Sequence, residues 1–125
     1  MLGDPAWVDV PAATGFVQTQ PDEGQPATER TEVRVLFDND TIYFGFVCYD
    51  RDPEGIITSE SRRDASLNNS DSIQIILDTF RDRQSAFLFG TSPAGQEYDG
   101  QVMNEGQGGS SGFNVNYNWD GVWVV

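Results

Sequence analysis

DSIQIILDTFRDRQSAFLFGT, residues 71–91, is the stretch whose reading decides the fold. It opens and closes apolar, and Asp78, Arg81, Asp82 and Arg83 crowd its middle. Ile73, Ile75 and Leu77 alternate onto one face of an extended chain, while Ile76, Asp78 and Phe80 take the other. Ser85–Thr91 is again apolar and ends at a Pro/Gly turn, Ser92–Gly95. Two strands, Ser72–Phe80 and Ser85–Thr91, joined by Arg81–Gln84, make a hairpin. The charged centre has three readings: a hairpin tip, an ion site or a catalytic pair. A tip needs Asp78 and Asp82 to pair with Arg81 or Arg83 and to take turn N–H groups. That reading comes first, because two arginines inside the cluster oppose a divalent cation.

The same logic works outward in both directions. Glu32–Phe37 alternates, with Val33, Val35 and Phe37 on one face. Asp38-Asn39-Asp40 is a turn, and Thr41–Tyr49 is apolar or aromatic at nearly every position. This predicts a second hairpin whose return strand is buried on both sides. Thr14–Thr19, 56–62, Gln96–Met103 and Asn114–Val125 read as further strands. Asp4-Pro5-Ala6-Trp7 is a capping residue followed by Pro at the first helical position, so a short helix starts there. Pro21–Thr28 and Asp50–Gly55 are loops, 63–70 is polar enough for one helical turn, and 104–112 is a Gly/Ser-rich connection. The expected class is all-β and antiparallel, in one domain spanning residues 1–125.

Composition narrows the function. Twenty acidic against seven basic residues give a net charge of −13. Such a chain repels phosphate backbones and anionic surfaces, so nucleic acid is not its partner. With no histidine, Ser-His-Asp and Cys-His catalysis and imidazole ligation of metals are all excluded. The single cysteine, Cys48, cannot form an internal disulfide and reads as a small core residue. No run of about 18 apolar residues exists, which predicts no direct membrane insertion. No signal peptide is legible at the start of this chain.

The candidate sites follow from residue chemistry. Trp119 and Trp123 are four apart, which on a strand puts both on one face. Such a face suits the apolar side of a pyranose ring, with Asn118 and its neighbours Asn116 and Asp120 binding hydroxyls; the competing reading is core packing. Trp7 reads as core. Asp71, Asp78 and Asp82 are the acids that could hold calcium, which takes 6–8 oxygens. Asp38-Asn39-Asp40 and Asp50-Arg51-Asp52 lack the full EF-hand spacing and read as turns. A glycosidase would need two carboxylates about 5–10 Å apart, one raised in pKa by burial. Nothing in the sequence marks such a pair.

Several stretches carry a resemblance: GDPAW at Gly3–Trp7, PATERTEVRVLFDNDTIYFGFVCYDRDP at Pro26–Pro53, Arg62-Arg63-Asp64, DSIQIILDTFRDRQSAFLFGTSPAGQEYDG at Asp71–Gly100, and the closing NWDGVWVV. In order and spacing the chain resembles the family 9-like carbohydrate-binding module, as found at the N-terminus of large bacterial surface or outer-membrane proteins. The resemblance implies an antiparallel β-sandwich of jelly-roll type, polysaccharide or oligosaccharide binding without catalysis, structural calcium, and export to the periplasm, cell surface or exterior. It also implies kinship with modules attached to glycoside hydrolases. Two alternatives stand beside it: a structural or interaction domain that binds no sugar, and an accessory piece of a hydrolase. The family domain continues past its final Trp-x-Val strand, so the resemblance implies a sandwich lacking its C-terminal strand or strands. Val122-Trp123-Val124-Val125 would then be an open edge that invites self-association.

Overall fold

The computed structural model describes residues 3–58, 70–103 and 114–125. Among the described residues the chain is all-β, with two antiparallel sheets of two and four strands. No α-helix occurs among the described residues, and the only helical turns are single 3-10 turns at Pro5–Trp7 and Pro53–Gly55. No helix there is long and apolar enough to cross a membrane. The chain divides into two compact units, Met1–Pro53 and Glu54–Val125.

In the first unit, β1 (Thr31–Phe37) pairs with β2 (Ile42–Cys48) in the register Val33↔Phe46, Val35↔Phe44, Phe37↔Ile42. Paired residues share a face, so these six make one wholly apolar side. Glu32, Arg34, Tyr43 and Val47 occupy the other. The tight turn between the strands is organised by Asp38. Its Oδ1 accepts from the amides of Asp40 and Thr41, each at 2.8 Å, and its Oδ2 from the Tyr43 hydroxyl. These donors hold the Asp38 carboxyl below the usual range, the Asp40 amide most of all. At the N-terminus Asp4 accepts from the Ala6 amide at 2.8 Å and caps the Pro5–Trp7 turn, as the Asp-Pro pair predicts.

Three expectations for this unit fail. The run Thr41–Tyr49 is not buried on both sides, since Ile42, Tyr43 and Cys48 are exposed. Among the described residues β2 has one neighbour in its sheet, and apolar composition cannot report how many neighbours a strand will have. Cys48 is therefore an exposed thiol and not a core residue. Thr14–Thr19 is not a strand either. It makes isolated bridges, with Ala13 opposite Val33 and Val17 opposite Pro26. Gly15, at φ +76°, breaks the extended run between them.

The second unit holds the four-stranded sheet in the order β3 (Ile73–Leu77), β4 (Ala86–Thr91), β5 (Glu97–Met103), β6 (Asn114–Asn116). One face carries Leu88, Tyr98 and Val102, all buried, with Ala86 and Val115 packed against them. Leu88 is 2% exposed. Tyr98 lies flat across Gly90, where a Cβ would collide with its ring, and donor Gln74 Nε2 reaches its hydroxyl at 2.6 Å. Burial pushes the Tyr98 hydroxyl pKa up.

The opening hairpin forms, with a longer connection than the pattern predicts. β3 stops at Leu77 and β4 starts at Ala86, so Asp78–Ser85 is all loop. Asp78 causes the early stop: its carboxylate accepts from the amides of Asp82 and Arg83, which turns the chain away from the ladder. Phe80 consequently leaves the strand and is 68% exposed. Of Asn114–Val125, only Asn114–Asn116 is strand; Tyr117–Asn118 is a turn and the rest is irregular. Ile56–Thr58, the described part of the expected strand 56–62, is not in a strand. The helical turn expected in 63–70, apart from Ser70, and the Gly/Ser-rich connection at 104–112 lie outside the described residues.

Candidate functional site

The opposite face of the four-stranded sheet is aromatic. Alternation along β4 points Phe87 and Phe89 to it, and the pairings Leu77↔Phe87 and Ile75↔Phe89 add the apolar side chains of β3. Trp119 covers both phenylalanines, with ring centroids 4.6 Å from Phe87 and 5.9 Å from Phe89. Trp123 meets Phe89 edge-on at 5.3 Å. Phe80, at the hairpin tip, extends the series through Phe87 at 6.4 Å. These are the offset and edge-to-face contacts that aromatic rings prefer.

The two tryptophans thus share one face, though not as strand neighbours. The segment that carries them is held to the sheet by side chains. Asp99 on β5 pairs with Phe89 in the ladder, so it lies on the aromatic face. Its Oδ2 accepts from the Gly121 amide at 2.7 Å and from the Trp123 indole Nε1 at 3.0 Å. Asp99 is wholly buried. Two residues along the same strand, Glu97 Oε1 accepts from the Val125 amide at 3.1 Å. Two carboxylates therefore hold the C-terminal segment over the sheet face. Gly121 and Trp123 turn inward, and Val122 and Val124 stand out in solvent. Asn118 is exposed in the turn before Trp119, its amide donating to Asn116 Oδ1 at 3.1 Å. Asp120 is exposed beside it.

The acidic candidates are used locally. Asp71 Oδ2 accepts from the Ile57 amide at 2.6 Å. Asp78 accepts from Asp82 and Arg83 amides as above. Asp82 accepts from the Gln84 amide at 2.8 Å, the Ser85 amide at 3.0 Å and the Ser85 hydroxyl at 2.9 Å. The Ser85 amide, above all, holds the Asp82 carboxyl below its ordinary range. The tip is therefore built on amide donors: among the described residues neither Asp78 nor Asp82 forms an ion pair with Arg81 or Arg83. Arg81 and Arg83 sit in the left-handed region, at φ 54° and 59°, and both are exposed. Among the described residues no three Cys, Asp or Glu side chains gather in a way that would hold a metal ion.

A concavity lies in the first unit, where the sequence marked only Trp7, as core. The Gly3–Val8 segment, turned by its Asp4 cap, lines a cleft of about 580 Å³ together with the polar face of β1–β2. Glu32, Arg34, Val47 and Tyr49 line it opposite Trp7 and Val8. Glu32 is buried between two arginines, paired with Arg30 and accepting from Arg34 Nη1 at 2.9 Å. The Arg34 contact holds the Glu32 carboxyl below its usual range despite burial. Arg34 Nε also donates to the Val10 carbonyl at 3.1 Å, and the Arg30 guanidinium lies 5.4 Å from the Tyr49 ring centre. The local signal was present in the alternation: Glu32 and Arg34 are the two even positions of β1 that precede Leu36. Their partner, the N-terminal turn, is too distant in sequence to be read.

No protein-family model matches this chain, and no curated protein or solved structure is significantly similar to it.

Proposed function

We propose that this chain is a non-catalytic carbohydrate-binding module of an exported bacterial protein, with its sheets forming a β-sandwich of jelly-roll type. The observation that carries the reading is the aromatic face of the four-stranded sheet: Trp119 and Trp123 gathered on Phe87 and Phe89, with exposed Asn118 and Asp120 at its border. Aromatic rings offer the apolar face of a sugar a large contact at low conformational cost, and the amide and carboxylate offer its hydroxyls partners. The opposite face, with Leu88, Tyr98 and Val102, is the more buried of the two. The β1–β2 hairpin likewise carries one wholly apolar face. The reading gives this chain no catalytic role. Affinity electrophoresis through gels containing arabinoxylan or mixed-linkage β-glucan tests it. Retardation of the native chain, reduced in Trp119→Ala, is expected; migration unaffected by either polymer overturns the reading.

The alternative of a structural or interaction domain has an observation of its own. Asp99 fixes Trp123 through its indole N–H, which is how a core tryptophan is satisfied. On that reading the rings only close the sheet face. Structural calcium at Asp71, Asp78 and Asp82 is the part of the reading with least geometric support, since each carboxylate already accepts amide hydrogens. An ion bound only by the folded state would raise the melting temperature in millimolar calcium over that in chelator. Equal melts would remove it from the account.

A further inference from the structure

We propose that the cleft beneath the Pro5–Trp7 turn is a second sugar subsite, taking one neutral pyranose ring; this rests on the carbohydrate reading above. Its size, about 580 Å³, falls within the roughly 300–1,000 Å³ of small-molecule sites. The lining has the division that a pyranose requires. Trp7, Val8 and Tyr49 give it apolar walls, and Val8 and Tyr49 leave 70% and 47% of their surface open to solvent. Glu32 and Arg34 give it a carboxylate and a guanidinium side by side, acceptor next to donor, as two adjacent hydroxyls need. Both groups are already fixed, Glu32 by two arginines and Arg34 by the Val10 carbonyl. A ligand would therefore meet an ordered site and not have to order it. The charge around it balances: Arg30 and Arg34 against Glu32 and Asp4. A neutral ligand fits that balance, and a net charge of −13 disfavours an anionic one at long range.

The three tryptophans make the test direct, because Trp7 reports the cleft while Trp119 and Trp123 report the aromatic face. Indole N–H resonances, assigned from single Trp→Phe variants, are followed during titration with xylotetraose and, separately, cellotetraose. The expected result is a saturable shift of the Trp7 resonance that persists in Trp119→Ala. Tyr49→Ala should weaken it at least tenfold; Tyr49 is half exposed and lies beyond the end of β2, so the hairpin survives its loss. If Trp119 and Trp123 respond while Trp7 stays still, or if Tyr49→Ala leaves the Trp7 response unchanged, the cleft is not a subsite although the carbohydrate reading stands. If no indole responds to either sugar, the carbohydrate reading fails and this inference falls with it.

Discussion

The two hairpins of this chain start from the same sequence signal and reach different ends. Both are apolar alternations around an acidic tip, and in both an aspartate takes the amides of the residues two and three ahead: Asp38 those of Asp40 and Thr41, Asp82 those of Gln84 and Ser85. The turn chemistry is therefore local and repeats. Burial is not local. In β3–β4 the ladder continues into β5 and β6, and Leu88 is nearly inaccessible. In β1–β2 the sheet has two strands, and Phe37 at its tip is 81% exposed. Alternation specifies a strand; the number of neighbours in the sheet decides what the strand is worth.

That contrast can be broken by mutation, and the largest effect is expected in the four-stranded sheet. Leu88→Ala should cost about 2–5 kcal/mol, as for a truncated core leucine, and Phe37→Ala less than about 1 kcal/mol. Urea denaturation of the two variants checks it; similar losses would mean that the Phe37 side chain is covered in solution. Next in size is the Asp99 latch. Asp99→Ala leaves two N–H donors without their acceptor and should cost about 1–3 kcal/mol, while Asp99→Asn, which keeps one carbonyl acceptor, should recover part of that. Near-ultraviolet circular dichroism should show the loss of Trp123 asymmetry in the alanine variant. If alanine and asparagine are equivalent, the bond to the indole contributes nothing.

The smallest effect concerns the tips themselves. Asp38, Asp82 and Glu32 all have carboxyl pKa values lowered by folding. A lowered value means that the folded state favours the ionised form. The resulting stability is present above the unfolded value of about 4, and is lost as pH falls through the lower folded values. The melting temperature should therefore drop between pH 5 and pH 3. In the Asp38→Asn, Asp82→Asn double variant that drop should be shallower. A drop of unchanged depth would place the acid sensitivity elsewhere.

What could be read from the sequence was whatever short range decides. The hairpin strands, the Asp38 turn, the Asp4 cap and the Ser92–Gly95 turn all follow from residues within a few positions of one another. The C-terminal segment could not be read this way. Its alternation predicts a strand, yet it is held by Asp99 and Glu97, 22 to 28 residues away, through side chains that leave no periodic trace. Trp119 and Trp123 do share a face, but because both pack on Phe89, and not because they are four apart on a strand. The cleft of the first unit was hidden for the same reason. Trp7 and Tyr49 are apolar residues beside apolar residues, and only the fold brings them to Glu32 and Arg34. Asp78 was legible as part of a charged hairpin tip, but its reach to the amides of Asp82 and Arg83, and so the early stop at Leu77 and the length of the loop, was not.

The most direct test of the central claim, that the aromatic face of the four-stranded sheet binds sugar, is a fluorescence titration of the whole chain with a neutral oligosaccharide such as xylohexaose. Binding over Trp119 and Trp123 predicts a saturable change in tryptophan emission. With Trp7 replaced by Phe, so that only the aromatic face reports, Trp119→Ala should make that change at least tenfold weaker, with the fold retained by circular dichroism. No saturable change across neutral xylo- and cello-oligosaccharides, or one that Trp119→Ala leaves intact, would contradict it.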